Sequence, residues 1–251
     1  MRRNKGILVV LQLLAIVIAL VGFYIFLSPR DFRVTTDESP RLSTSSSSMA
    51  VTSSSSSSNK EETDALPDVS PNDWELVLVN RDYAFNNVVP ELGYVEGIPV
   101  DQRIVEATTQ FMAAVHALDA DPLQRLYSGY RSVEEQAALF QTRVAELVAG
   151  GTSEEEATTI VSQTVLPAGH SEHHTGLAID IMRYSDVAKE IAAMAPEHGF
   201  ILRYTKGAEH ITGVSEENWH YRYVGVASAK YMTEHQLTLE EYLDLLRSKN
   251  R

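Results

Sequence analysis

Cysteine is absent from the 251 residues of this chain. Without it the chain has no thiol nucleophile, no thiolate metal ligand and no N-terminal cysteine to carry a lipid. The absence does not fix the compartment, because a domain with a large enough core folds without disulfides. Any metal in this protein must therefore be bound through nitrogen and oxygen atoms.

Positive charge is also scarce, with 21 Lys and Arg residues against 34 Asp and Glu residues and a net charge of −13. Five basic residues and one acidic residue within positions 1–33 give that segment +4, which leaves −17 for the remainder. Affinity for nucleic acid comes mainly from Lys and Arg side chains that neutralise phosphates. The charge balance therefore excludes nucleic acid as a partner.

Polar side chains are nearly missing from residues 7–27, where Gln12 is the only strongly polar one. As a helix this run would extend about 32 Å, which matches the hydrocarbon core of a bilayer. Basic residues precede the run, so residues 1–6 should be cytoplasmic and the remainder should lie outside the cell. A cleaved signal peptide usually has a shorter apolar core and a small-residue cleavage site. Since the run closes on FYIFL instead, we predict an uncleaved, single-pass signal anchor in the cell membrane.

Aromatic side chains are missing between Phe32 and Trp74, and serine runs occupy 45–48 and 53–58. A segment with so few apolar side chains cannot offset the entropy lost on ordering, and serine-rich chains behave as flexible coils. We therefore predict a disordered linker at 28–72 that tethers a globular domain at 73–251 to the membrane.

Periodicity and turn residues in the globular part predict an α+β fold with a small central antiparallel sheet and flanking helices. Helix starts are marked by capping residues, namely Asp101, Ser132, Ser153 and Thr238. The predicted helices occupy about 101–118, 132–150, 153–164 and 186–195, with two more at the C-terminus. The predicted strands and extended segments occupy 75–80, 126–132, 177–182, 200–204 and 219–225.

The densest cluster of chemical groups is Gly169–Asp180 (GHSEHHTGLAID), where three imidazoles precede a strand that carries Asp180. Along this strand Ile179 should point to one face, and Ala178 and Asp180 to the other. A turn at Gly176 and a small alanine leave room for a metal ion. Aspartate is disfavoured in mid-strand, which indicates a specific role for it.

A second cluster, EENWHYRYVG at 216–225, places Glu217 three residues before His220. Zinc catalysis needs three protein ligands, an open position for water and a carboxylate that takes the proton of that water. His173, Asp180 and His220, together with Glu217, supply this set. The residues therefore favour a metal site with Glu217 close to it but outside the ligand set.

The same residues also allow a plainer interpretation. A single histidine near a strand is more often a surface or core residue than a ligand. Asp180 with Arg183, and Glu217 with Arg222, are spaced as ordinary ion pairs. The WHYRY segment is, by default, a half-buried amphipathic strand.

Two patterns resemble the signature of the VanY- and VanX-type zinc D-Ala carboxypeptidases and dipeptidases of peptidase family M15B. They are Ser171-x-His173-x-x-Gly176-x-Ala178-x-Asp180 and Glu217-x-x-His220. SGYRS at 128–132 and FILRY at 200–204 also resemble family elements, so the similarity covers about residues 73–248. It is closest to VanY and to the L,D-carboxypeptidases of the LdcB and DacB type. It implies the zinc peptidase fold shared by hedgehog and D,D-peptidase domains.

For the metal, the resemblance implies Zn²⁺ bound by His173, Asp180 and His220, with Glu217 as the general base. His173 is preferred to His174 because it alone has the seven-residue separation from Asp180 that the family pattern requires. For the substrate, the resemblance implies a pocket that receives a terminal D-Ala.

The residues implied for that pocket are Ser171, Tyr204 and Gln136. Arg131 is implied to stabilise the tetrahedral intermediate or to hold the substrate, and a fixed guanidinium beside a metal favours a developing oxyanion. One segment departs from the family, because Thr205–Ala208 replaces the usual proline and lysine after FILRY. This departure affects the expected rim of the pocket and not the metal ligands.

The resulting expectation is a zinc carboxypeptidase that removes C-terminal D-Ala from peptidoglycan stem peptides in cell-wall remodelling. Both L,D- and D,D-specificity are open, with a slight preference for L,D. A non-catalytic cell-wall-binding module and a peptidoglycan endopeptidase are the alternatives. The presence of Glu217 favours an enzyme, because a decayed scaffold would be expected to lose its base.

Overall fold

The computed structural model describes residues 65–85, 88–119, 125–182 and 187–249. The predicted cytoplasmic segment 1–6, the anchor 7–27 and the linker up to residue 64 lie outside these ranges. Within them, every helix is too short or too polar to cross a bilayer. The end of the predicted linker is described, and there Leu66 and Val69 pack against a hydrophobic core. The packed domain therefore begins before the predicted boundary at residue 73.

The domain is an α+β arrangement around an antiparallel sheet, as predicted. A four-stranded sheet has the order β3-β4-β6-β5, and β1 pairs with β2 in a separate hairpin. The strands are β1 (Leu92–Val95), β2 (Ile98–Asp101), β3 (Arg125–Ser128), β4 (Ala178–Met182), β5 (Phe200–Tyr204) and β6 (Glu217–Tyr223). The four strands of the larger sheet are spread between residues 125 and 223, so the sheet brings distant positions together.

The α-helices lie where the sequence predicts them, except for an unpredicted single turn at 209–212. They are α1 (Val105–Leu118), α2 (Val133–Ala149), α3 (Glu154–Val161), α4 (Ala188–Met194), α5 (Glu209–Thr212), α6 (Val226–Glu234) and α7 (Leu239–Lys249). Asp101 caps a 3-10 helix, Gln102–Ile104, that precedes α1, so the predicted helix at 101–118 is α-helical only from Val105. At α2 both halves of the capping box of Ser132 and Glu135 form. The Ser153 hydroxyl accepts the N–H of Glu156 at the start of α3, which ends three residues before its predicted end.

The two faces of the sheet bury different cores. Ile179, Ile181 and Tyr221 pack on one face with Phe111 and Val115 of α1. On the other face Ile201 packs with residues of α6 and α7, among them Met232, Tyr242 and Leu243. This confirms the predicted alternation along β4, and it directs Ala178 and Asp180 away from α1.

Two predicted elements were wrong or incomplete. Residues 75–80 form no strand; a 3-10 helix, Trp74–Leu76, is followed by irregular chain. The carbonyl groups of Glu75 and Val77 accept N–H groups from the Arg222 guanidinium instead of a neighbouring strand. The predicted strand at 219–225 begins earlier, at Glu217, because Glu217 pairs with Tyr204 of β5. The hairpin β1–β2 was not predicted; Glu96 and Gly97 turn it with φ values of 52° and 81°.

Gly176 fixes the chain between the histidine-rich segment and β4. Its φ is 69°, in the left-handed region that favours glycine. A Cβ atom there would lie 2.7 Å from the backbone nitrogen of Asp101, which donates to the Gly176 carbonyl at 3.0 Å. The predicted glycine turn is therefore confirmed, and the close backbone approach explains why no other residue fits.

Candidate metal centre

Asp180 and His220 face each other across neighbouring strands. The register pairs Asp180 of β4 directly with His220 of β6. Oδ1 of Asp180 lies 3.2 Å from Nδ1 of His220. Antiparallel pairing thus places a carboxylate beside an imidazole that is distant from it in sequence.

His173 reaches the same point from a short 3-10 helix, Glu172–Thr175. Ser171 caps this helix by accepting the His173 N–H at 3.3 Å. Nδ1 of His173 lies 2.6 Å from the carbonyl oxygen of Gly129. Since a carbonyl oxygen only accepts, Nδ1 carries the proton and Nε2 is left with a free lone pair. Nε2 lies 3.3 Å from Oδ2 of Asp180.

The three side chains fit a metal ion. One ligand atom from each lies within 4.8 Å of the others. Ligands about 2.1 Å from a tetrahedral zinc ion lie about 3.4 Å from one another. The separations of 3.2 and 3.3 Å between Asp180 and the two imidazoles are close to this value. Two imidazoles and one carboxylate are also a donor set that suits zinc and leaves a fourth position for water.

The neighbouring histidines are engaged elsewhere. Nδ1 of His170 lies 2.8 Å from the carbonyl oxygen of Asn80. Nδ1 of His174 lies 2.8 Å from the carbonyl oxygen of Arg131, and its Nε2 accepts the N–H of Gly169 at 3.1 Å. Of the three clustered histidines, the structure therefore brings His173 together with the other two ligands.

Glu217 lies at the edge of this set. It is buried, and its Oε2 is 3.6 Å from Nδ1 of His220. Burial raises the pKa of Glu217 to about 7, helped by the nearby Asp180 carboxylate and opposed by His220. The position and the chemistry are those of a group that exchanges protons near neutral pH.

Burial and neighbouring charges shift the pKa values of all three proposed ligands; burial alone would lower the pKa of His220, but the carboxylates of Asp180 and Glu172 raise it to about 10. Burial alone would raise the pKa of Asp180, but the facing imidazoles of His173 and His220 hold it well below its usual range. Burial lowers the pKa of His173. An ionised carboxylate beside a neutral imidazole is the protonation state in which both groups bind a metal.

Arg131 lies beside the metal centre with its guanidinium fixed at two points. Nη1 donates to Oε1 of Gln136 at 2.8 Å, and Nη2 donates to Oγ of Ser128 at 3.0 Å. Its backbone N–H donates to the carbonyl oxygen of His173 at 3.1 Å. Burial lowers the pKa of Arg131, while the carboxylates of Asp180 and Glu217 oppose that shift. The guanidinium is thus held in place before any substrate arrives.

All the predicted site residues line one cavity of about 370 Å³. The Tyr204 ring packs on His220, with ring centroids 4.9 Å apart. Gln136 is engaged at both ends, because its Nε2 also donates to the Leu166 carbonyl. Further lining residues are Leu139, Arg143, Thr164, Val165, Leu166, Glu172, Val214 and Trp219. The segment Thr205–Ala208, which departs from the family pattern, is not part of this cavity's lining. Its Thr205 and Lys206 line a different cavity.

The sequence interpretation missed the buried carboxylate of Glu172. Nε of Arg203 and Nη1 of Arg222 donate to its Oε1 at 2.8 and 2.9 Å. Burial alone would raise the pKa of Glu172, but the two guanidinium groups hold it well below its usual range. The suggested ion pair of Glu217 with Arg222 is therefore wrong; its counterpart, Asp180 with Arg183, lies outside the described residues. The sequence signal for this buried carboxylate was the arginine within each of the strands β5 and β6, since a buried guanidinium needs an anionic partner.

Comparison with known proteins decides the family. The model of the VanY family, described as D-alanyl-D-alanine carboxypeptidase, matches residues 97–226. The chain belongs to the VanY family. It is 35% identical over 184 residues to a D-alanyl-D-alanine carboxypeptidase of Enterococcus faecalis. That match covers 68% of this chain and 66% of the relative, slightly less than two thirds of its length.

Solved structures of VanY-like proteins share the fold. A zinc complex of the vancomycin-resistance D,D-pentapeptidase VanY is 34% identical, with a TM-score of 0.62, and the match covers 68% of this chain and 99% of that one. The LdcB LD-carboxypeptidase is 30% identical, with a TM-score of 0.51, and the match covers 68% of this chain and 86% of that one. These likenesses agree with the VanY-type resemblance that the two sequence patterns indicated.

Proposed function

We propose that this VanY-family chain is a zinc-dependent carboxypeptidase that releases C-terminal D-Ala from peptidoglycan stem peptides. The observation that carries the proposal is the convergence of His173, Asp180 and His220 beside Glu217 in one cavity. The relatives with solved structures add support, because one, named a D,D-pentapeptidase, contains zinc and another is named an LD-carboxypeptidase.

His173 Nε2, an Asp180 oxygen and His220 Nδ1 would hold the zinc ion. When bound, zinc supplies a Lewis acid that polarises the scissile carbonyl and lowers the pKa of a water molecule to about 7. Glu217 accepts the proton of the attacking water on a carboxylate oxygen. It then donates that proton to the nitrogen of the departing D-Ala, so that one residue serves as base and then as acid.

Arg131 stabilises the negative charge that develops on the scissile carbonyl oxygen. Its guanidinium needs no reorganisation, because Gln136 and Ser128 already fix it. The two hydrogen bonds of the Gln136 amide to protein groups favour a positioning role for this residue. Ser171 and Tyr204 would then form the wall of the D-Ala pocket.

The proposed substrates include both pentapeptide stems, cut at a D,D bond, and tetrapeptide stems, cut at an L,D bond. The pentapeptide is favoured. The sequence alone favoured the L,D class slightly. The D,D-pentapeptidase shares more identity with this chain than the LdcB structure does, and it has the higher TM-score. A pentapeptide stem that ends in D-Ala-D-Ala is therefore expected to be cut faster than a tetrapeptide stem.

A panel of defined stems tests the function. We expect the zinc-loaded full chain in detergent micelles to release D-Ala from pentapeptide or tetrapeptide stems, detected by mass spectrometry, and to leave tripeptides intact. Binding of stems without release would instead show the non-catalytic wall-binding module. Cleavage of cross-linked stems, with no release of terminal D-Ala, would show an endopeptidase.

We also propose that residues 7–27 anchor the chain and that its domain works on the outer face of the cell membrane. Support comes from the apolar run and the basic residues before it. Intact cells treated with an external protease should lose the domain while the anchor fragment stays in the membrane fraction. A chain found in the soluble fraction without residues 7–27 would contradict an uncleaved anchor.

A further inference from the structure

Glu172 lies directly behind His220, on the side away from Asp180. Oε2 of Glu172 is 3.5 Å from Nε2 of His220. Both atoms are buried, and neither has a hydrogen-bond partner among the described residues. A buried carboxylate oxygen and a buried imidazole nitrogen are seldom left unpaired in a folded protein. Their mutual approach therefore calls for an explanation.

The two ring nitrogens of His220 face different groups, and this difference explains the approach of Glu172. Nδ1 faces Asp180 at 3.2 Å, so a metal at this site is bound through Nδ1. A neutral imidazole that binds a metal through Nδ1 must carry its proton on Nε2. Oε2 of Glu172, 3.5 Å from Nε2, is then the acceptor available to that proton. Carboxylate groups commonly orient metal-bound histidines in this way.

The other oxygen of Glu172 fixes the carboxylate itself. Oε1 accepts from Arg203 of β5 and Arg222 of β6, at 2.8 and 2.9 Å. Arg203 is in turn held by Glu240 of α7, through bonds of 3.0 and 2.7 Å. The guanidinium groups keep the acceptor oxygen Oε2 turned to His220. Arg222 is held separately, by the carbonyl oxygens of Glu75 and Val77.

We propose that Glu172 is the positioning residue that sets the tautomer and the ring orientation of His220. This inference rests on the proposed metal centre. Zinc affinity depends on it because only the Nε2–H tautomer leaves the lone pair of Nδ1 free for the metal. Loss of such a supporting contact typically weakens metal binding about 10–100-fold.

Glutamine at position 172 cannot take over this role. Its amide has one oxygen and one NH₂ group, whereas Glu172 presents an acceptor to the arginines and another to His220. If the amide oxygen faces Arg203 and Arg222, the NH₂ group opposes Nε2–H of His220. In the reverse orientation the NH₂ group opposes the two guanidiniums. Either way a donor faces a donor, so the contact with His220 and the contact with the arginines cannot both persist.

The matched control is Glu240→Gln. It removes a carboxylate from the same guanidinium of Arg203, at the end away from His220, so it disturbs the buried charge network without changing the Glu172 contact. We expect Glu172→Gln to raise the zinc dissociation constant of the full chain about 10–100-fold, measured by chelator competition. We expect Glu240→Gln to leave it within about threefold of the wild type. Equal weakening in both variants would overturn the positioning role.

A measurement on the unaltered chain avoids any folding defect of the variants. Ring ¹H–¹⁵N correlations of the zinc-loaded protein should show His220 protonated at Nε2, with slow exchange and a downfield proton shift. A proton on Nδ1, with zinc on Nε2, would overturn the inference while leaving the proposed function intact. A wild-type chain that binds no zinc would overturn both.

Discussion

Replacing Glu217 by glutamine is expected to lower kcat for D-Ala release by about 10²–10⁴-fold, while zinc content per chain should stay at the wild-type value. Glutamine keeps the shape of the side chain but cannot accept a proton. The proposed metal ligands are His173, Asp180 and His220, so an amide at position 217 leaves their donor atoms in place. The rate of D-Ala release is followed by mass spectrometry, and zinc is counted by elemental analysis.

Glu216→Gln is the matched control, because Glu216 is the exposed neighbour of Glu217 on the same segment. It removes the same charge from the chain and should leave kcat unchanged. A Glu217→Gln enzyme with wild-type kcat would mean that another group takes the proton. A loss of zinc in that variant would mean that Glu217 is a ligand and that the assignment of roles in this site is wrong.

Local signals in the sequence were enough to predict the α-helices, apart from the one-turn α5, and most strands of the sheet. Capping residues act on the next turn of chain, so Ser132 and Thr238 locate the starts of α2 and α7 within a residue. The strands β4 and β5 were recognisable because their apolar runs are bounded by Gly176 and Gly199. In both cases the structure is decided by residues close in sequence.

The structure differs from the sequence predictions where side chains distant in sequence determine the local conformation or the ion pair. The ELVLVN segment at 75–80 has the apolar residues of a strand. Two of its carbonyl groups, those of Glu75 and Val77, instead accept from the guanidinium of Arg222, which lies 147 and 145 residues further along the chain. The partner of Arg222 was misjudged for the same reason. Glu217 is near Arg222 in sequence, whereas Glu172 is 50 residues away and reaches it only after β4 and β6 have paired.

The candidate site combines residues that sequence patterns identify with residues that only the folded chain brings together. Spacing and the resemblance to VanY-type enzymes separated His173 from His174, and the backbone bonds of His174 show the physical basis of that choice. Sequence patterns did not identify the carbonyl of Gly129 or the carboxylate of Glu172. The Gly129 carbonyl approaches His173 and the Glu172 carboxylate approaches His220, each on the ring nitrogen that does not face the metal position. No sequence spacing links these groups to that contact. Both lie where they can determine which imidazole nitrogen is free to bind a metal.

Replacing His220 by alanine is expected to weaken zinc binding strongly and to remove D-Ala release with it, which separates it from the Glu217 variant. Asp180 and His173 remain, but two ligands do not form a closed site, so affinity should fall by more than the about 100-fold that a lost supporting contact costs. His210→Ala, at an exposed histidine, should leave zinc content and kcat unchanged. Far-ultraviolet circular dichroism of the metal-free variants checks that the fold persists without the packing of His220 on Tyr204. Unchanged zinc per chain in His220→Ala would remove His220 from the ligand set, and with it the proposed role of Glu172.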